Sequence, residues 1–103
     1  MKNAADEAEV KKAGQREISE ERQRLVDLKA LLELPHGRRF IWWMLDAAGV
    51  YKSSFTGNST TFFNEGRRDL GLQLLAKIAE SSPESLVLMM QESKKREELH
   101  DER

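Results

Sequence analysis

The chain has 103 residues, of which 34% are charged and 39% hydrophobic, and its formal net charge is −1. A chain of this length forms one domain, and folding removes only roughly 60–70% of its surface from water. We therefore expect a partner or further copies of the chain. The near-neutral charge gives no global basic field for a polyanion. Having no cysteine excludes disulfides and thiolate metal sites, and the two histidines are far apart, so we expect no metal and no cofactor.

Charge is distributed unevenly along the chain. Residues 1–33 and 92–103 are rich in both signs, whereas the middle is more apolar. We predict a charged N-terminal arm over residues 1–17, a helical core domain over 18–92 and a charged tail over 93–103. No run reaches the roughly 18 apolar residues of a membrane span, and the start lacks a signal peptide, so we expect no membrane association.

The first helix has a short apolar stripe. Ile18, Leu25 and Leu32 recur every seventh residue, which is typical of an amphipathic helix. Because Glu21 stands where a coiled coil needs an apolar residue, the pattern favours a helix docked on the core over a true coiled coil.

A second helix is predicted from Pro35 to Ala48, ending at Gly49. Its wheel places Arg39, Trp42 and Trp43 opposite the main apolar face, and the spacing lets Arg39 stack on Trp43. Two interpretations remain open for the tryptophans: other helices cover them, or one stays exposed as an anchor for a partner.

A loop rich in Ser, Gly and Asn follows, and it carries Phe55, a further candidate anchor. The third helix extends to about Glu80. Its wheel places Arg67 on the apolar stripe, so we predict a buried ion pair with Asp46 or Glu65. A pair across an interface and a phosphate contact are the alternatives. Gly66 and Gly71 border the stripe, which predicts close approach of another element to their backbone.

The fourth helix begins at Ser82 and Pro83 and continues into the charged tail. Since no strand pattern occurs, we predict an all-α fold, a small four-helix array with a long charged N-terminal helix and a charged C-terminal helical tail. The sequence has no Ser/His/Asp set, carboxylate dyad or HExxH motif, so we do not expect an enzyme.

Residues 22–92 resemble a small domain encoded by tailed bacteriophages, chiefly those with short tails. Four motifs carry the resemblance: PHGRRF at 35–40, SFTGNS at 54–59, FFNEGRR at 62–68 and LMMQ at 88–91. The resemblance implies a protein encoded among portal and head-assembly genes, and it brings no activity with it.

Two functional classes follow. The first is a phage structural or assembly accessory protein, present in copies or as a homo-oligomer on the portal, neck or capsid, in the virion or the host cytoplasm. Its predicted partner-binding residues are Arg38, Arg39, Trp42, Trp43, Phe55 and Arg68. The alternative is a soluble phage factor that binds a host protein or DNA through the local patch of Arg38, Arg39, Arg67 and Arg68. Nucleic acid is thus possible but not favoured.

Overall fold

A computed structural model describes residues 3–101 of the chain. Over these residues the chain folds into four helices. They are α1 (Ala4–Leu32), α2 (Pro35–Ala48), α3 (Thr60–Ser81) and α4 (Pro83–Asp101). The part of the chain that the structure describes contains no strand. The predicted all-α array of four helices is confirmed, with the predicted bounds of α2.

Local chemistry explains where the first two helices begin and end. The Asn3 side chain caps α1 by accepting a hydrogen bond from the Asp6 amide at 2.9 Å, which satisfies one of the orphan donors of the first turn. Pro35 begins α2, where its missing N–H costs nothing. Gly49 ends α2 in the left-handed conformation, with φ of 77°, which glycine adopts without strain.

The core lies where the C-terminal half of α1 meets the other three helices. Its fully or nearly buried apolar residues are Leu28, Leu32, Ile41, Leu45, Val50, Ile78 and Met89. By contrast, residues 3–20 are exposed throughout, so the outer half of α1 (residues 4–20) contributes nothing to this core. The core is therefore small for the length of the chain.

The molecule is thin and extended. Its principal extents are 69 × 40 × 16 Å and its radius of gyration is 19.0 Å, whereas a globular domain of this length has a radius of gyration of about 13 Å. Such a shape leaves many large apolar side chains in contact with water.

Two glycines allow close approach between helices. A Cβ on Gly71 would lie 2.6 Å from Ala48 Cβ and from Val50 Cγ2, so α3 packs directly on the end of α2. A Cβ on Gly37 would overlap the Leu31 carbonyl at the end of α1. The predicted close approach is confirmed at Gly71. At Gly66 it is wrong, because a Cβ there would have nothing within 4 Å.

The predicted boundaries of arm and tail fall inside continuous helices. α1 runs through the boundary between residues 17 and 18, and α4 runs through the boundary between 92 and 93. The ends of arm and tail, residues 1–2 and 102–103, lie outside the described residues. Between residues 3 and 101, no helix has the length and apolar character that crossing a bilayer requires.

Candidate partner-binding surface

Arg38, predicted to bind a partner, is instead engaged within the chain. Its Nε and Nη2 donate to the two carboxylate oxygens of Glu92 on α4, at 2.7 and 3.1 Å. Its Nη1 donates to the Leu32 carbonyl at the end of α1, at 2.8 Å. The arginine side chain is only 11% exposed. Arg38 thus joins α1, α2 and α4, and it makes the interhelical ion pair that the sequence placed at Arg67.

The electrostatics of this pair follow from its geometry. The hydrogen bonds from Arg38 hold the pKa of Glu92 below its ordinary value, against the opposing effect of partial burial. The same hydrogen bonds raise the pKa of Arg38. Both shifts favour the charged forms, as expected for a bidentate guanidinium–carboxylate pair.

Arg67 does not form the predicted buried ion pair. Its side chain is exposed, its Nη2 donates to Asn64 Oδ1 at 3.2 Å, and its guanidinium lies 5.5 Å from the centre of the Phe63 ring. The reason is geometric: Gly71, rather than Arg67, packs directly against Ala48 at the end of α2, so the Arg67 side chain stays exposed.

The two predicted carboxylate partners of Arg67 face other groups. Asp46 lies 3.6 Å from the Lys52 ammonium in an exposed pair. Glu65 accepts a hydrogen bond from the Ser54 hydroxyl. Within residues 3–101, neither carboxylate forms a salt bridge with Arg67.

The two tryptophans have different environments: one is partly covered by the core and the other stays exposed. Trp42 is half-buried against the core, with its ring centre 5.8 Å from that of Tyr51. Trp43 is 59% exposed and its ring pairs with Phe40 at 5.5 Å. Among the described residues Trp43 has no cation–π partner, so the expected stack with Arg39 is not formed.

Two of the three remaining predicted partner-binding residues lie on the surface. Arg39 and Phe55 are both exposed, and Phe55 is 76% exposed at the tip of the loop between α2 and α3. Arg68 is half-buried, and its Nε is buried without a hydrogen-bond partner in the part of the chain described. It borders a small cavity of about 70 Å³ beside that loop, with Lys52, Ser53 and Asn64.

A larger apolar groove, of about 440 Å³, lies between α2 and α3. We call it the α2–α3 groove. Its lining comes from two helical faces: Trp43, Met44, Ala47 and Ala48 on α2, and Arg67, Leu70, Gly71, Gln73, Leu74 and Lys77 on α3. Because neither α1 nor α4 contributes to the lining, the groove is open to a partner.

Charge in the α2–α3 groove is of one sign. Arg67 and Lys77 are its charged lining residues, ten positions apart on α3, and no carboxylate lines it. Lys77 also donates to Glu21 Oε1 of α1 at 2.7 Å. An apolar floor with a cation at each end suits an amphipathic segment that carries carboxylates.

Of the apolar residues in this groove, sequence reasoning identified Trp43 and missed others. Leu70 lies on the apolar stripe of α3, where burial is expected, but it is 69% exposed. Met44 lies on the main apolar face of α2, and it too is exposed. Helical periodicity identifies an apolar face without showing whether the chain itself covers that face, so no local signal distinguished core from docking surface.

Between residues 3 and 101, no group of three or more His, Asp or Glu side chains could hold a metal ion. The chain was compared with known proteins. The family model described as Bbp19-like phage protein matches residues 28–91, a segment that contains the whole α2–α3 groove. No curated protein matches the chain, and no solved structure does.

Proposed function

The chain belongs to the Bbp19-like phage protein family, and from this membership we propose that it is a non-enzymatic structural or assembly accessory protein of the phage. It docks in copies on the portal, neck or capsid through helical packing, and it acts in the virion or in the host cytoplasm where virions assemble. The α2–α3 groove is the surface that we assign to this docking.

One observation carries the proposal: the chain leaves most of its large aromatic side chains on the outside of a thin helical layer. Trp43, Leu70 and Met44 line an open groove, and Phe40 extends the same face. A contiguous apolar surface of this kind marks an interaction site in a protein with few buried residues. Aromatic residues such as Trp43 contribute much of the binding energy at protein interfaces.

The internal pair of Arg38 weighs against the alternative of a DNA-binding factor. Of the four arginines in the expected patch, Arg38 is bound to Glu92 and the Leu32 carbonyl. Arg67 and Arg68 border the small cavity near α2, whereas Arg39 is not among the residues that line it. Phosphate contacts by the remaining three would give a slope of log affinity against log salt of about −3 at most.

The test is mass spectrometry of purified, nuclease-treated virions, with quantification of this chain relative to the portal protein. We expect the chain to be present at a fixed ratio to the portal. For a chain that acts during assembly and then leaves, we expect it instead in purified proheads. Absence from both particles would contradict the proposal and favour a host-directed factor.

A matched pair of variants tests whether the α2–α3 groove is the docking surface. Phage lacking the gene is complemented with Leu70→Glu or with Val87→Glu, which changes an equally exposed residue on α4 outside the groove. We expect Leu70→Glu to lower incorporation at least about tenfold and Val87→Glu to have little effect, since a charge placed in an apolar contact must be desolvated. Equal incorporation of both variants would exclude the groove.

A further inference from the structure

We propose that the α2–α3 groove binds the outer half of α1 (residues 4–20) from a second copy of the chain. The inference rests on the proposed function only in treating the chain as a protein that docks in copies. It adds the occupant of the groove and the residues that recognise it. Three observations support it: an uncovered helix, matched spacing and opposite charge.

The outer half of α1 has no contact surface in its own chain. Every described residue from 3 to 20 is exposed, although the same helix packs on the core further along through Leu28 and Leu32. At about 100° per residue, the face that carries Leu28 and Leu32 continues toward the N-terminus as Ile18, Gly14 and Val10. An apolar stripe therefore extends beyond the domain without a partner.

The spacing of this stripe matches that of the groove. Glu7, Val10, Gly14 and Glu17 stand at positions i, i+3, i+7 and i+10 of α1. On α3, Arg67, Leu70, Leu74 and Lys77 stand at the same four relative positions. Each set occupies one face of its helix and spans about 15 Å. Each has charged residues at both ends and apolar or small residues between them.

The charges of the two sets are opposite. The stripe of α1 ends in carboxylates. Lys12 and Arg16 lie on the other side of that helix, and Lys11 lies just outside the edge of the stripe. The groove ends in the cations Arg67 and Lys77 and has no carboxylate in its lining. Lys77 keeps its hydrogen bond to Glu21 of its own chain and has two further donors for a second carboxylate. Charge complementarity thus fixes the register of the docked helix.

Gly14 supports close packing at this stripe. It lies in the interior of α1, where glycine is an unfavourable helix residue, and a Cβ there would have nothing within 4 Å in its own chain. Nothing in a single copy requires a glycine at this position. In the docked state, Gly14 lets the backbone of α1 approach the apolar floor near Leu74 in parallel docking or near Leu70 in antiparallel docking.

Because both sets have the spacing 3, 4, 3, the charged ends and the apolar positions match in parallel and in antiparallel docking alike.

The cysteine-free chain allows a direct test by disulfide cross-linking. Full-length Val10→Cys or Gly14→Cys is mixed with differently tagged Leu70→Cys, and disulfides between the two tags are measured after mild oxidation. Parallel docking pairs position 10 with 70, and antiparallel docking pairs 14 with 70.

The matched control is Arg16→Cys, which places the thiol on the opposite face of the same helical segment. We expect one of the two stripe positions to cross-link with Leu70→Cys at least about fivefold more than Arg16→Cys does, since only a docked face holds the two thiols within bonding distance. Equal cross-linking from both faces would overturn the proposal.

Sedimentation of the unmodified chain gives an independent measurement. We expect concentration-dependent self-association, weakened at least roughly fivefold by Arg67→Glu and unaffected by Arg16→Glu, because only Arg67 meets a carboxylate across the contact. A chain that remains monomeric at the highest attainable concentration would overturn the inference and leave the groove to another protein. Virion incorporation of such a monomer would still support the proposed function, so the two failures are distinguishable.

Discussion

The tripeptide Gly-Arg-Arg occurs at residues 37–39 in α2 and again at residues 66–68 in α3, and the two copies have opposite environments. In the first copy, Gly37 lies against the Leu31 carbonyl and Arg38 is bound to Glu92. In the second, Gly66 has open space around it and Arg67 is exposed at the end of a groove. The same local sequence thus joins helices at one site and lies at the surface at the other.

The neighbours of each copy explain the difference. α2 begins three residues after α1 ends, so its first turn is held against the last turn of α1 and near α4. α3 begins after the loop over residues 49–59, and its first turns extend beyond the end of α2. The role of each tripeptide is therefore decided by which helix ends lie beside it, and substitutions at matched positions should separate the two roles.

The glycines give the largest expected contrast. Gly37→Ala should lower the free energy of unfolding by about 1–3 kcal/mol, because the new Cβ overlaps a carbonyl that belongs to the backbone of α1 and has little freedom to move. Gly66→Ala should raise the free energy of unfolding by about 0.5–1 kcal/mol, because alanine favours the helix and meets nothing. Urea denaturation followed by circular dichroism measures both. Destabilisation by Gly66→Ala would contradict the open space around this glycine and would mean that another surface lies against it in the measured state.

The arginines give the next contrast. Arg38→Met should lower Tm by about 5–10 °C, since it leaves the Glu92 carboxylate and the Leu32 carbonyl without their donor. Arg67→Met should change the free energy of unfolding by less than about 0.5 kcal/mol, because its exposed side chain contributes only contacts with Asn64 and Phe63. Thermal unfolding of the two variants at one concentration is the measurement. Similar losses in both would contradict the assignment of roles.

Much of the fold could be predicted from the sequence, since its signals are local. Pro35 and Gly49 mark the ends of α2, Pro83 marks the start of α4, and both the helix count and the class are as predicted. The close approach at Gly71 also followed from the cost of glycine within a helix. These features depend on helix propensity and capping, which are set by a few neighbouring residues and not by tertiary contacts.

The candidate surface was less predictable, because it depends on contacts between distant parts of the chain. Arg38 and Glu92 are 54 residues apart, and the local sequence around either residue does not predict their contact. The sequence identified an arginine on an apolar face and predicted a buried pair. The pair was predicted at Arg67 because a helical wheel gives the direction of a side chain around the helix axis but does not show where the neighbouring helix ends. The sequence left open that one tryptophan stays exposed, and the structure shows Trp43 exposed; its role as an anchor stays a prediction.

The smallest expected effect is the pH dependence of the stability that the Arg38–Glu92 pair contributes beside the first tripeptide. The pKa of Glu92 is lowered in the folded chain by its hydrogen bonds from Arg38, so the pair contributes stability above the ordinary carboxyl pKa and loses it as pH falls through the lowered value. Glu92→Gln removes this titration and should lower the free energy of unfolding by about 1 kcal/mol near pH 7. The difference from the wild type should shrink below the ordinary pKa of 4.5.

Glu65→Gln is the matched control for replacing a carboxylate by an amide, because Glu65 lies beside the second tripeptide and, among the described residues, accepts a side-chain hydrogen bond from the Ser54 hydroxyl alone. A neutral amide oxygen accepts the same hydrogen bond, so we expect its stability difference from the wild type to stay within about 0.5 kcal/mol near pH 7. Urea denaturation at a series of pH values compares the two. An unchanged stability difference between Glu92→Gln and the wild type at low pH would mean that packing by the glutamate stem, rather than its charge, holds α4 to α2. In that case the two tripeptides would differ in packing and not in electrostatics.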